Sequence, residues 1–551
     1  MCRVSLHNPP RYNRVTIPRN ILAREIPVLN HDSQAPTDTA EPLAAGLRLA
    51  RLNPWVFVLA VLATLVHLIF NRGYGYFRDE LYYAACGQHL AWGYVDHAPL
   101  VAAVAHYTRA VLGDSLAALR FVPALSVAAK VLIAGWMARE MGGGRVAQFF
   151  AALMTLIAPI YLTFDNFLSM NAFEPVFWML SVAMVLRILN GGDRRLWLLF
   201  GLVAGIGILN KHSMLFLGSG LAVGLLRTVP REFTHRWIWL GATLAMALFL
   251  PNFLWEMHNG WPTITLLHSV IGTKYTTISP WAFIGEQILL MLPLTSPIWI
   301  AGLWFLLRDR EGCRYAALGI AYLIVLAEML ILHGKIYYLA PAYIMLLAAG
   351  SVWLEKQHWF SARRRAAPAL ASVLIIAGVI AAPLAMPILP VNQLIPYARF
   401  WDVEAVQVEN VPQDDLPQLF GDMFGWQEQA ASVASVYSAL TPADRAHTSI
   451  AAYNYGEAGA IDYFGPAYGL PPVISGHNNY GFWGPGQHSN EVVVAIGYRE
   501  GFLRQFFDEV EQKATISPQY ALPEERNLAI FLCRKPRADW ATLWPRWKYF
   551  D

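Results

Sequence analysis

Long apolar runs separated by short polar breaks set the pattern over the first two thirds of the chain. A first run covers Trp55 to Phe70, and others follow near 116–138, 146–163, 172–189, 196–209, 213–226, 237–254, 283–307, 314–332, 336–354 and 368–389. A bilayer core takes roughly 17–25 helical residues, so the pattern predicts about eleven transmembrane helices. The pair 196–209 and 213–226 is short and interrupted by Asn210, Lys211 and His212. From about Val391 the pattern becomes that of a water-facing domain. There Trp426 to Leu440 has helical periodicity. Ser449–Tyr453, Glu491–Ile496 and Asn527–Leu532 read as buried strands, punctuated by Thr441–Pro442 and Gly484–Pro485–Gly486. The expected fold is an α-helical polytopic membrane protein. It has a disordered cytoplasmic tail over 1–50, a transmembrane domain over 51–390 and a soluble α/β domain over 391–551.

Composition narrows the class. The 551 residues are 56% hydrophobic and only 14% charged, against roughly 25% charged in soluble domains. Mean hydropathy is +0.37. The 20 Trp and 24 Tyr suit a protein with many interfacial anchors. A net charge of +3 singles out no partner, and no nucleic acid is expected. Cys2, Cys86, Cys313 and Cys533 lack metal-ligand spacing, which argues against a zinc site or a disulfide framework and leaves open a single Cys86–Cys533 bridge. Residues 1–50 carry no apolar signal core, so the first span itself serves as the membrane anchor.

Basic residues orient the bundle. With the N-terminus in the cytoplasm, Arg51, Arg139, Arg145, Arg194, Arg195, Arg227, Arg231, Arg236, Arg308 and Arg363–Arg365 fall in inner loops, whereas the outer loops keep Arg72, Arg78, Lys211, Lys274 and Lys335. This satisfies the positive-inside bias. An odd number of spans then places the C-terminal domain outside, in the periplasm of an inner (plasma) membrane protein.

On that topology the outer loops gather the candidate chemistry: Arg78, Asp79, Glu80, Asp96 and His97 in the first, Asp165, Asn166, Asn171 and Glu174 around the second, and Lys211 and His212 in the third. Glu256, His258, Lys274, His333 and Lys335 follow. Ionisable groups at a bundle edge are costly unless paired or facing a watery cavity, so their gathering on one side points to a site. Any loop between helices must also be polar, and solvation or helix capping accounts for a single such residue. The adjacent acids Asp79 and Glu80 are harder to explain that way because they repel, and Tyr82, Tyr83 and Trp92 add aromatic surface suited to sugars. For Glu80 the plain alternative is a structural pairing with Arg78. Further on, Asn454 to Ala460 reads as a loop entering a helix, and Ser475 to Tyr480 as an exposed polar turn.

The stretch Tyr76 to Tyr83, followed by Gly93, Tyr94, Val95, Asp96, His97, Ala98 and Pro99, resembles the first periplasmic loop of bacterial family-39 glycosyltransferases. These are the dolichyl-phosphate-mannose–protein mannosyltransferase relatives with the GT-C fold. The resemblance extends to Gly205–Lys211, His258–Pro262 and Gly334–Lys335 with Tyr337, Tyr338 and Pro341, covering roughly residues 55 to 390. It implies transfer of a sugar from a polyprenyl-phosphate donor to a protein, lipid or glycan acceptor at the outer face, with Asp79 as base. One departure is visible: Asn171 stands where relatives often carry an acid ahead of a Phe–Trp pair, here Phe177–Trp178. Glu174 and Asp165 lie nearby, and any divalent-cation requirement is tied to which of the three substitutes.

A phosphate leaving group is already a weak base, so one carboxylate suffices, in contrast to the paired acids of a glycoside hydrolase. Attack opposite the phosphate inverts the anomeric carbon. Lys211 and Lys335, in very short turns, are candidates to stabilise the departing phosphate, with Lys274 and Arg78 behind them. His258 and Tyr338 complete the expected substrate-binding set. Two other classes compete. A secondary transporter should place its charges near the bilayer midplane in two related halves, and no halves repeat here. A non-catalytic anchor for the outer domain would tolerate alanine at the loop acids.

Overall fold

All eleven apolar stretches are helical over most of their length in the computed structural model, which describes residues 52–270, 279–401, 416–486 and 490–551. The expected tail over 1–50 lies outside the described residues. Six helices are long and apolar enough to cross a membrane: Leu116–Glu140, Met170–Leu189, Arg236–His258, Gly312–Ile331, Ile336–Lys356 and Ala366–Ala385. Five shorter apolar helices, Pro54–Phe70, Leu100–Leu112, Arg145–Ile157, Leu196–Asn210 and Met214–Thr228, accompany them. The run at 283–307, expected as one span, is two helices, Pro280–Leu290 and Pro293–Arg308, bent by 96°. If that pair counts as one span, the full-length total among the described residues is seven. Pro293 lacks the N–H that would continue the first helix and disfavours helical geometry in the residue before it. Leu292 accordingly sits at φ +67°.

Helices approach closely where small residues face each other. A Cβ on Gly201 would fall 2.1 Å from the Gly241 carbonyl oxygen, and one on Gly241 2.1 Å from that of Trp197. Such contacts let backbones pack by dispersion where lipid offers no hydrophobic drive.

The C-terminal layer is a five-stranded sheet of order β2-β1-β3-β5-β4, with β1 Thr448–Ala452, β2 Val473–Ile474, β3 Val492–Ile496, β4 Phe507–Ile516 and β5 Leu528–Pro536. β2, β1 and β3 are parallel, and β5 and β4 add antiparallel. Strands β1, β3 and β5 answer to the three expected runs. β1 and β3 are buried throughout, and β3, Val492–Ile496, accordingly reads as an unbroken apolar run. β4 is a mostly exposed edge strand carrying Asp508, Glu509, Glu511 and Lys513, and β2 is two residues long. One sheet face packs with Tyr82, Tyr83 and Cys86 of the first loop into a shared core that includes Ile450, Val494 and Ile530. The other face is covered by Trp540, Trp544 and Trp547. Cys86 and Cys533 are buried and free, so the bridge left open above does not form.

The segment expected as an exposed turn is buried instead: Ser475, His477, Asn478, Asn479 and Tyr480 are all at most 4% exposed. The C-terminal strand of chain covers it, with Tyr549 N–H donating to the Gly476 carbonyl at 3.0 Å and Asn478 N–H to the Tyr549 carbonyl at 3.1 Å.

Asp462, on the helix Tyr455–Phe464, accepts from the Tyr480 hydroxyl at 2.8 Å and the Val473 N–H at 3.3 Å. Burial pushes its carboxyl up to about 6 from 3.8. The folded chain therefore holds this proton more tightly than the unfolded one. Its stabilising share is complete below about pH 4 and is lost as pH rises through about 6. Asp462→Asn is expected to flatten this part of the stability–pH curve and to unfold at higher temperature than the native protein above about pH 7, as thermal unfolding across pH will show.

Candidate active site

The first-loop helix Arg78–Gln88 starts with two acids in its first turn, where its N–H groups and dipole favour negative charge. Glu80 turns inward. It is 0% exposed, and its Oε2 accepts from the Phe77 N–H at 2.9 Å. Arg120 donates to both its oxygens, Nε to Oε1 at 2.9 Å and to Oε2 at 3.2 Å and Nη2 to Oε2 at 2.7 Å, and Leu168 N–H adds a bond to Oε1 at 2.8 Å. Arg120 also holds the Asn71 and Gly75 carbonyls. Glu80 is therefore a buried clasp joining the first loop, the second loop and the helix Phe121–Glu140. It does not line a pocket as expected, and its partner is Arg120 rather than Arg78.

Arg78 turns toward the C-terminal layer, pairing with Asp422 at 2.9 Å and Glu524 at 2.6 Å, with Glu525 at 3.6 Å. A substrate-binding role gives way to this docking contact. Close by, Glu457 is pushed well up by burial and by the Glu525 charge. Its Oε2 caps the Tyr453 and Asn454 N–H groups, and Asn454 Oδ1 accepts from Glu457 N–H, closing a capping box at the start of the helix Tyr455–Phe464. The reading of Asn454–Ala460 as a loop entering a helix matches this start.

Asp79 is half-buried between the two layers. Its Oδ1 accepts from the Tyr455 hydroxyl at 3.0 Å. The Tyr455 ring lies 4.6 Å from that of Tyr82. Tyr82 itself is 1% exposed, donates to Asp96 at 2.9 Å and accepts from Asn479 Nδ2 at 2.5 Å. It packs the site from behind and does not present a face to sugar. Burial, and then the charges of Asp79 and Asp96, push the Tyr83 phenol well up.

The second-loop candidates separate. Asp165 is fully buried and paired with Lys130 at 2.5 Å, with Ser126 donating at 3.0 Å. This is an ion pair inside the bundle, at odds with an expected pocket role. Asn171 and Glu174 instead converge on Lys211, whose Nζ donates to Asn171 Oδ1 and Glu174 Oε2, each at 2.8 Å. Ser213 donates to the other Glu174 oxygen. The same ammonium stands over the rings of Tyr338 at 4.3 Å and Tyr337 at 5.3 Å. Lys335 lies near enough for its charge to act on Lys211. His258 is exposed on the last turn of Arg236–His258 and takes no part in these contacts. Lys274 lies outside the described residues. No cluster of three or more His, Cys, Asp or Glu side chains suited to a metal ion occurs among the described residues.

An apolar cavity of about 460 Å³ opens beside this cluster, walled by residues such as Ile160, Phe164, Leu290, Tyr337 and Ile380. Ile160, Phe164 and Tyr337 are shared with a small adjoining pocket that reaches Asn171 and Glu174. A greasy slot thus ends at a tyrosine that lies under a lysine. Neither Tyr455 nor the slot was singled out from sequence. Tyr455 follows a recognisable helix cap, but its reach across to position 79 depends on the docking of two distant segments.

Many apolar helices, a helical first loop bearing acids and an α/β layer packed on it describe a polytopic membrane protein. The family model described as dolichyl-phosphate-mannose-protein mannosyltransferase matches residues 96–255, a stretch that does not include Asp79 or Glu80. In three dimensions the chain is similar to ArnT from Cupriavidus metallidurans. The crystal structure bound to undecaprenyl phosphate aligns at a TM-score of 0.57 and 16% identity, and the apo structure at 0.59 and 14%. Each alignment covers 87% of this chain and 98% of ArnT. No curated protein matches the chain.

Removing one partner of a buried ion pair strands the other charge and costs on the order of 3–5 kcal/mol. Arg120→Met is therefore expected to unfold at much lower temperature in detergent. Adding Glu80→Leu to it is expected to recover part of the loss, which a thermal-shift comparison of the two variants checks.

Proposed function

We propose that this chain is an inverting membrane glycosyltransferase. It moves a sugar from a polyprenyl phosphate to an acceptor hydroxyl on the face that carries the first loop and the C-terminal layer, a face outside the cytoplasm in the orientation that the positive-inside bias favours. The observation that carries this reading is the apolar slot walled in part by Tyr337, whose ring faces the Lys211 ammonium. A prenyl chain is apolar and its phosphate anionic, so a slot with a cation close to its wall suits both ends of such a donor. ArnT, similar in fold, has been crystallised with undecaprenyl phosphate.

In the proposed reaction the acceptor oxygen attacks the anomeric carbon opposite the phosphate. Asp79 takes the hydroxyl proton, the new C–O bond forms, and the C–O bond to phosphate breaks with its electron pair leaving on polyprenyl phosphate. Lys211, oriented by Glu174 and Asn171, and Lys335 stabilise the developing phosphate charge where water is scarce. Protein, lipid and glycan hydroxyls are all acceptors compatible with this chemistry.

In membranes supplied with undecaprenyl-phosphate-linked sugars, Asp79→Asn is expected to lower transfer by about 10²–10⁴-fold, the usual worth of a placed base. Full transfer by that variant would overturn the assignment. Lys211→Ala is expected to weaken binding of undecaprenyl phosphate to the purified protein by roughly tenfold or more, a loss of at least ~1.4 kcal/mol. Unchanged binding would remove the cation from the donor site.

A further inference from the structure

The C-terminal layer does more than cover the bundle: it delivers a hydroxyl to the first-loop acid. Tyr455 Oη donates to Asp79 Oδ1 at 3.0 Å across 376 residues of sequence. Two ring contacts and a backbone hydrogen bond hold the tyrosine. Its ring packs on Tyr82 at 4.6 Å and on His477 at 4.9 Å. Its backbone N–H donates to His477 Nδ1 at 3.1 Å. Because that nitrogen accepts, the imidazole proton resides on Nε2, which donates to the main-chain oxygen of Asp551 at 3.0 Å. His477 in turn stacks on Tyr549 at 4.6 Å. A continuous chain of contacts therefore runs from the last residues, through His477 and Tyr455, to the carboxylate at position 79.

We propose that Tyr455 is a positioning residue of the active site: its hydroxyl fixes the rotamer of the Asp79 carboxylate and stabilises the ionised form, so that the C-terminal layer is required to make the base. This rests on the reading of Asp79 as base. A donor to the charged form of an acid favours that form, and its removal lets the acid take up a proton at higher pH. The groups facing this carboxylate include Tyr455 from the helix Tyr455–Phe464 and Tyr83 from its own helix. Arg78 beside it is engaged by Asp422, Glu524 and Glu525. His477 stands behind Tyr455, and Asp96 behind Tyr82.

The test is carbodiimide labelling, which modifies protonated carboxyls. It is applied to the full chain in detergent across roughly pH 4 to 8 and read by mass spectrometry at the Asp79 peptide. Tyr455→Phe keeps the ring packing and removes only the hydroxyl. It is expected to move the labelling midpoint upward by about one pH unit, while Tyr453→Phe in the same loop leaves it in place. Transfer by Tyr455→Phe is expected to fall about tenfold in kcat with KM unchanged and to recover as pH is raised. An unmoved midpoint, or an equal shift in Tyr453→Phe, overturns the proposal. Since labelling needs no substrate, that failure is distinct from failure of Asp79 as base, which Asp79→Asn reports separately.

Discussion

The buried pairing of Glu80 with Arg120 is the constraint on which the site depends. Neighbouring positions on one helix turn are split by it into different roles. Glu80, drawn inward by a guanidinium and two backbone N–H groups, fixes where the helix Arg78–Gln88 begins and which way it faces. Arg78 and Asp79 are then forced toward the C-terminal layer, where one finds three carboxylates and the other a tyrosine hydroxyl. Such a pair is expensive to desolvate and adds little net stability over an apolar packing. Here it also accepts and donates bonds to backbone groups at Asn71, Gly75, Phe77 and Leu168, which an apolar replacement would leave unsatisfied.

A second cluster, built on Lys211, mirrors the first in design. Two side chains from Met170–Leu189 orient one ammonium, and two tyrosines near Lys335 offer it their ring faces. Tyr337 belongs both to this cluster and to the wall of the apolar cavity. The two clusters supply complementary chemistry: a carboxylate on the first-loop helix met by a hydroxyl of the C-terminal layer, and a cation over a tyrosine that walls an apolar slot. A reaction between a water-borne hydroxyl and a lipid-carried phosphosugar needs both on one side of the membrane.

Much of the scaffold was legible because hydrophobic burial is written in local composition. Every apolar stretch is helical over most of its length, and the buried strand β3 stands out as a short, mostly β-branched run. What escaped depends on contacts distant in sequence. Arg120 lies near the start of the apolar run 116–138 with nothing local to mark it as the partner of Glu80, and Lys130 lies deeper in that run opposite Asp165. The segment Ser475–Tyr480 looks like a solvated turn until Trp547–Asp551 folds back over it. β4 carries the charges of an exposed edge, so its composition resembles a loop. The acid at 79 stood out in the sequence as a candidate, whereas the hydroxyl that meets it did not.

A structure determined with an undecaprenyl-phosphate-linked sugar bound tests the central claim most directly. The prenyl chain is predicted to fill the cavity between Ile160, Phe164, Leu290 and Ile380, with the phosphate beside Lys211 and the anomeric carbon on the side facing Asp79. A prenyl chain lodged elsewhere, or a phosphate remote from Lys211 with Asp79 turned away from the sugar, would contradict it.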